Sequence, residues 1–191
     1  MTSTINQQKA AIRSQMRAKR RGLSASEKLI AAERFSDRGL RDPAIRRARH
    51  IAIYLAFDGE LDLSILTDAL LADGKAVYLP VLSRFTPPRL RFTRYQPGMA
   101  MRPNRYGIPE PVRRQFKPLR ELDVVLMPLT AFDAHGGRLG MGGGFYDRTF
   151  PVRTMGSFEK PKLIGVAYRW QQVEALPVEA HDRRVHRVLT D

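Results

Sequence analysis

A chain of 191 residues with no cysteine has room for one domain and a real core, but builds neither a disulfide framework nor a thiolate zinc site. Its 33 Lys+Arg against 19 Asp+Glu, a formal net charge of +14, point to anionic partners: nucleotides, polyanionic small molecules or nucleic acid. No apolar run approaches a membrane span and no signal peptide is visible, so the expected location is cytoplasmic, with no membrane partner.

Thr2–Ser24 is basic and holds no acid. Ile5, Ile12 and Met16 give a sparse apolar face for a helix, while Lys9, Arg13 and Arg17 are four apart and share another. A solvated basic helix, a mitochondrial transit peptide and a phosphate-gripping helix all fit this pattern. Ser24-Ala25-Ser26-Glu27 is a capping box, which predicts a second helix to about Arg38 with Leu29, Ala32 and Phe35 inward. Asp42-Pro43 ends that unit.

Ile51–Phe57 is a nearly continuous apolar run that suits a central strand covered on both faces. Asp58-Gly59-Glu60 turns the chain at its carboxyl end. Leu63, Leu66 and Leu70 mark a helix ending at Asp73-Gly74, and Ala76-Val77-Tyr78-Leu79 is the next strand. A strand–helix–strand order predicts a parallel α/β sheet. Leu90–Tyr95 alternates as a more exposed strand. Met101–Val112 reads as a proline-rich loop around Tyr106, an aromatic that either packs or stacks on a flat heterocycle. Leu122–Leu129, Leu163–Ala167 and Arg187–Thr190 supply the remaining strands.

Gly136–Phe150, GGRLGMGGGFYDRTF, follows the most apolar run of the chain, Val124–Leu129. A buried strand feeding a glycine-dense loop presents bare backbone amides to an anion. Gly140, Gly142, Gly143 and Gly144 are free to take positive φ, and Phe145–Arg148 reads as a first helical turn. A flexible surface turn is the alternative. The run is no Walker A loop, since no Gly-Lys-Ser/Thr follows, and Phe145 occupies the last glycine position of a dinucleotide fingerprint. Arg138 suits a phosphate, and Asp147 suits a hard cation.

The four histidines, His50, His135, His181 and His186, show no zinc-ligand spacing, and neither a G-x-S-x-G elbow nor a cysteine nucleophile exists. An anion loop, basic residues and the isolated acids Glu60, Asp147 and Asp182 remain. They suit phosphoryl transfer, which needs positioning and charge neutralisation more than a protein nucleophile. Glu60 and the glycine loop both follow strand carboxyl ends, where open α/β sheets gather ligands.

The run from Gly136 to Arg148 resembles the glycine motif of the 5-formyltetrahydrofolate cyclo-ligases, also called methenyltetrahydrofolate synthetases. Lys9-x-x-x-Arg13, Tyr54–Asp62, Gly107-Ile108-Pro109-Glu110-Pro111, Leu176-Pro177-x-Glu179-x-His181-Asp182 and Val188-Leu189-Thr190 resemble further family motifs in the same order, so the similarity covers nearly the whole chain. It implies one compact α/β domain over residues 1–191, with a mostly parallel sheet, flanking helices and an N-terminal helical segment. It also implies an ATP- and Mg²⁺-dependent ring closure. The formyl oxygen of 5-formyltetrahydrofolate takes the γ-phosphoryl group, the folate N-10 attacks the activated carbon, and phosphate leaves. The products are 5,10-methenyltetrahydrofolate, ADP and phosphate.

Carried over by position, the resemblance gives Lys9 and Arg13 to the ATP phosphates, which argues against a cleaved transit peptide. Arg138, Leu139, Gly140, Met141, Gly142, Gly143, Gly144, Phe145 and Tyr146 wrap the nucleotide, with Met141–Phe145 also near the folate. Leu55 and Tyr106 contact the folate, Glu60 hydrogen-bonds its pterin, and Asp147 and Asp182 hold Mg²⁺. Some members carry basic residues where this chain has Met141 and Gly143, so the catalytic cations fall to Arg138 and Arg148. The expected protein is a monomer that takes a mono- or polyglutamyl folate and binds no specific nucleic acid; Arg102, Arg105, Arg113 and Arg114, close in sequence to Tyr106, either form a solvated loop or meet the glutamate tail. Two rivals stand beside it: another nucleotide-dependent phosphotransferase on the same fold, and a basic nucleic-acid-binding protein.

Overall fold

The computed structural model describes residues 2–83, 87–150, 160–177 and 184–191. Helices α1 (Thr2–Gly22), α2 (Ala25–Arg41) and α3 (Pro43–Arg47) come first. β1 (His50–Ala52), α4 (Ser64–Ala72) and β2 (Ala76–Leu82) form a strand–helix–strand unit. β3 (Leu90–Arg94) precedes a hairpin of β4 (Met101–Pro103) and β5 (Pro109–Pro111), followed by β6 (Phe116–Lys117). β7 (Val124–Pro128) leads into a second hairpin, β8 (Ala131–Phe132) and β9 (Arg138–Leu139), and then α5 (Phe145–Thr149). β10 (Lys162–Ala167) and β11 (Arg187–Thr190) complete the order.

The main sheet runs β11-β10-β7-β1-β2-β3-β6. The first five strands are parallel, and β3 and β6 add on antiparallel. This is the mostly parallel α/β sheet expected from the strand–helix–strand pattern. Side chains alternate across it, because successive Cβ atoms of a strand point to opposite faces. Val124 and Leu126 join one core with Phe35 of α2, Ile45 of α3 and Leu66 and Leu70 of α4. Val125 and Met127 join the other with Phe92 and Phe150. α1 packs Ile12 and Met16 against Ala131 and Leu139 of the second hairpin. No described helix is long and apolar enough to cross a membrane.

Local chemistry sets the helix ends. The Ser24 hydroxyl accepts the Glu27 amide at 3.2 Å, and the Glu27 carboxylate accepts the Ser24 amide at 2.8 Å, completing the capping box. α2 runs to Arg41 rather than stopping near Arg38, with the bare Cα of Gly39 set against Leu66 of α4. Asp42 then caps α3 through the amides of Ala44 and Ile45 and pairs with Arg187 at the sheet edge.

Four expectations need correction. Leu29 is 55% exposed, because Ala31, Ala32, Phe35 and Ser36 take the inward face of α2. The strand read over Ile51–Phe57 pairs regularly only to Ala52, and the Ile53 amide makes one more bond to Tyr78 before the chain leaves the sheet. β3 is buried rather than exposed, since β6 covers its far edge and Phe92 packs on Phe150. Met101–Val112 is a hairpin rather than a loop, with the Asn104 side chain accepting the amides of Tyr106 and Ile108 across its tip.

Asp123 locks β1 beside β7. Its carboxylate accepts the amides of Arg49 at 2.8 Å and His50 at 2.9 Å, and binds Lys160. Burial pushes its pKa up, but those partners outweigh burial and hold it below the usual carboxylate value. Stability from this group is therefore present above the ordinary aspartate range and lost as pH falls through the lower, folded-state value. Asp123→Ala is expected to cost about 1–3 kcal/mol by stranding the β1 amides. Urea midpoints should show that loss at pH 7 and a smaller difference from the wild type in strong acid.

Candidate active site

The sheet has a switch point between β1 and β7. After β1 the chain passes through α4 to β2 on one side, and after β7 it moves to β10 on the other. Ligands in open α/β sheets bind beyond the carboxyl ends at such a point. The segment leaving β1 carries Asp58-Gly59-Glu60, and the segment leaving β7 carries the glycine loop. The structure therefore sets the two candidate stretches side by side.

The acidic turn has φ of +53° at Asp58 and +75° at Gly59, and the Glu60 amide bonds back to the Phe57 carbonyl at 3.1 Å. Both central residues are left-handed, as in the tight turns that favour Asp-Gly. A Cβ on Gly59 would lie 2.9 Å from the Arg20 carbonyl, so α1 presses directly on the turn. The same helix supplies three arginines to Asp58: Arg17 at 2.6 Å, Arg21 at 2.5 Å and Arg20 at 3.5 Å. Burial alone would raise the Asp58 pKa, but its hydrogen bonds from Arg21 and Arg17 hold it below the ordinary value.

Glu60 is 8% exposed and accepts the Phe57 amide at 3.1 Å. Burial pushes its pKa up to about 7, with Arg20 pulling the other way. Tyr146 of α5 lies in the fields of both Glu60 and Arg138, and burial raises its phenol well above the usual range. That tyrosine links the acidic turn to the glycine loop. Leu55 is half-buried against the core containing α2 and α4.

In the loop, only Gly136, Gly142 and Gly144 take positive φ; Gly140 and Gly143 do not. Gly142, at φ +100°, sits against the Arg13 guanidinium. Gly144, at φ +60°, is the residue from which α5 starts. Arg13 donates to the Gly140 carbonyl at 2.8 Å, and Arg148 donates to the carbonyls of Gly143 at 2.6 Å and Pro88 at 3.0 Å. The arginines thus hold loop carbonyls, while Lys9 is buried in the same helix as Arg13. Arg148 is a loop brace in this arrangement. Met141 is exposed, and Leu139 is buried beneath the loop.

Arg138 pairs with Asp147, joining the start of the loop to α5. Tyr106, 46% exposed at the tip of the first hairpin, meets Phe145 edge-on with centroids 5.8 Å apart. Glu110, in the mid-chain motif, is turned inward. It accepts from the Leu82 amide and Asn104, each at 3.0 Å, so it fixes that hairpin to the end of β2. Arg102, Arg105 and Arg113 are exposed around Tyr106, and Arg114 pairs with Glu110. Asp182, with Glu179 and His181, lies outside the described residues. Among the described residues no group of three or more His, Asp or Glu forms a ready metal cage.

Three supporting residues escaped the sequence reading. Asp133 accepts the amides of His135, Gly137 and Leu176, which shapes the hairpin that delivers Arg138. Gln171 donates to the carbonyls of Leu129 and Thr130 at 2.8 and 2.6 Å, closing the exit from β7. Arg20 is the third; the only sequence signal for it is that the basic face of α1 continues past Arg17. Two open surface cavities of about 580 and 710 Å³ lie elsewhere, beside β3 and β6 and at the amino ends of β1 and β2. Neither touches the glycine loop or Glu60.

Fold and site together define an α/β protein of the switch-point class, with a glycine-rich loop and a buried acid as neighbours. The sequence profile of the 5-formyltetrahydrofolate cyclo-ligase family matches residues 5–191, and the chain belongs to that family. The 5-formyltetrahydrofolate cyclo-ligase of Haemophilus influenzae is 43% identical over 178 residues, covering 92% of this chain and 94% of that one. The Escherichia coli K12 protein of the same name is 41% identical over 177 residues, covering 92% and 96%. The solved structure of 5,10-methenyltetrahydrofolate synthetase from Aquifex aeolicus superposes with a TM-score of 0.79 at 29% identity, covering 95% of this chain and 88% of that one. That from Mycoplasma pneumoniae gives 0.75 at 22% identity, covering 96% and 98%, and speaks to the fold alone.

Gly137→Ala tests the support beneath Arg138, because the added Cβ would fall on the Asp133 carboxylate. Overpacking of this kind costs about 1–3 kcal/mol. The expected result is a lower melting temperature together with reduced turnover.

Proposed function

We propose that this protein cyclises 5-formyltetrahydrofolate to 5,10-methenyltetrahydrofolate, consuming ATP. The observation that carries the reading is the meeting of a glycine-rich loop with a buried carboxylate at one switch point, in a chain of this family. A formyl oxygen is a poor leaving group. Transfer of the γ-phosphoryl group to it breaks the bond between that phosphorus and the β–γ bridging oxygen and releases ADP. The folate N-10 then bonds to the formyl carbon and loses its proton, and the carbon–oxygen bond breaks as phosphate departs.

Each group has a task suited to its chemistry. Loop amides and the Lys9–Arg13 face of α1 bind the nucleotide phosphates. Arg138 neutralises charge on the transferring group, and Arg148 does so while bracing the loop. Leu139–Tyr146 surround the nucleotide, and Met141–Phe145 line the approach to the folate. Tyr106 stacks on or flanks the folate beside Phe145, and Leu55 adds apolar contact. Glu60 as a carboxylate accepts adjacent pterin N–H donors.

Asp147 fits Mg²⁺, because that ion is commonly held by one or two carboxylates plus substrate phosphates and retains water. Asp182 is its proposed companion. Bound there, Mg²⁺ would neutralise phosphate charge. Arginines around the first hairpin take the glutamate tail of the folate. Residues 1–191 act as one domain, in a monomer in the cytoplasm.

Purified protein mixed with 5-formyltetrahydrofolate and Mg-ATP should show a rise in near-ultraviolet absorbance from the methenyl product, and no rise without ATP. ATP hydrolysis with no folate requirement would move the reading to a different phosphotransferase. Asp147→Ala is expected to stay folded, with a lower melting temperature because the buried Arg138 loses this partner, and to lose about a hundred- to thousand-fold in kcat. Near-normal turnover in that variant would remove Asp147 from metal binding.

A further inference from the structure

Arg20 is the largest fully buried side chain among the described residues, at 0% exposure. None of its three guanidinium nitrogens has a hydrogen-bond partner. Its charge is met only at ion-pair range, by Asp58 at 3.5 Å and Glu60 at 3.9 Å. A buried cation is tolerated only when countercharge lies beside it. Asp58 already receives hydrogen bonds from Arg17 and Arg21, so it is committed to the surface of α1. Glu60 is the carboxylate whose state Arg20 is placed to decide.

We infer that Arg20 is a positioning residue for the folate end of the site. From inside the fold, without touching a ligand, its guanidinium fixes the Asp58–Glu60 turn and supplies the countercharge that keeps Glu60 a carboxylate. The inference rests on the reading that Glu60 receives the pterin. Among the described residues the Phe57 amide also favours the carboxylate, but Arg20 is the charged group that does so: Asp58 in the turn opposes it, and Tyr54 after β1, Tyr146 from α5 and Tyr168 after β10 are uncharged phenols. Arg138 lies beyond Tyr146 and engages Asp147. The Tyr168 hydroxyl is buried without a hydrogen-bond partner, so it gives Glu60 no relief.

The sign follows directly. Burial places the Glu60 pKa at about 7 with Arg20 present. A proton on Glu60 turns one acceptor into a donor and weakens pterin recognition. Folate affinity should therefore fall as pH drops through that value, and removing Arg20 should move the same limb upward.

The test is binding of 5-formyltetrahydrofolate by calorimetry between pH 6 and 9, with the KM for folate and for ATP measured alongside. In Arg20→Met the folate-affinity limb should shift up by at least a pH unit. Affinity at pH 7 then falls about fivefold, since Glu60 is about half ionised there with Arg20 present and about one-tenth ionised after a one-unit rise, and it recovers toward pH 9. The KM for ATP should stay within about twofold. Arg20→Lys, which keeps a charge, should fold even where the methionine variant does not, and should shift the limb less. Glu60→Gln should abolish the limb, and adding Arg20→Met to it should not restore one.

An unmoved limb in Arg20→Lys and Arg20→Met, or equal losses of folate and ATP affinity at every pH, would overturn the inference and leave Arg20 a packing residue. Wild-type protein that binds no 5-formyltetrahydrofolate would instead overturn the proposed substrate, a separate and distinguishable result.

Discussion

The structure depends on the contact between the last turns of α1 and the turn after β1. Three arginines from one helix converge on Asp58, and the helix backbone closes over Gly59 with no room for a side chain. Of these charges Arg20 and Asp58 are enclosed, and they are costly to separate, because removing one leaves the other in a poor solvent. The contact therefore fixes the helix in both rotation and height. With that end fixed, the position of Arg13 two turns earlier is fixed too, and it arrives at the Gly140 carbonyl. A single rigid helix sets the distance between the acidic turn and the glycine loop.

The loop itself is held by an unusual division of labour. Arginine side chains occupy carbonyls of Gly140 and Gly143, and Asp133 occupies amides in the hairpin beneath. Cationic groups bound to carbonyl oxygens stay close to where an anion would sit. They add to its electrostatic attraction without a lysine inside the loop. The loop itself carries Met141 and Gly143, while the arginines around it carry the charge.

Much of this was legible in the sequence, for identifiable reasons. The capping box, the Leu63–Leu70 helix and the apolar strands within Leu122–Leu129 and Leu163–Ala167 follow from short-range chemistry and appear where expected. The place of the glycine run was legible because an apolar strand precedes it and a helical turn follows it. Leu29 was misread because period alone does not say which of two adjacent apolar faces finds a partner; Ala31 and Phe35 face the sheet, and Leu29 does not. Arg20 was invisible because a buried arginine and a surface one look alike in a basic helix. Asp133, Glu110 and Gln171 act on backbone groups brought near by chain reversals, or up to 43 residues away, and no local pattern reports that.

The strand order has a kinetic side. β1 lies at the middle of the sheet, yet one of its neighbours, β7, is more than seventy residues downstream, and β10 and β11 come later still. Pairings so distant in sequence close large loops before they return any stabilisation, which slows folding. Until β7 is available, β1 and β2 can pair with each other but leave an apolar edge open, the kind of edge to which other chains adhere. α1 is in the same position, since its docking surface on Ala131, Leu139 and Leu176 is among the later parts of the chain. The arrangement that puts the acidic turn and the glycine loop together at the centre of the sheet also means that the site is assembled among the last events of folding.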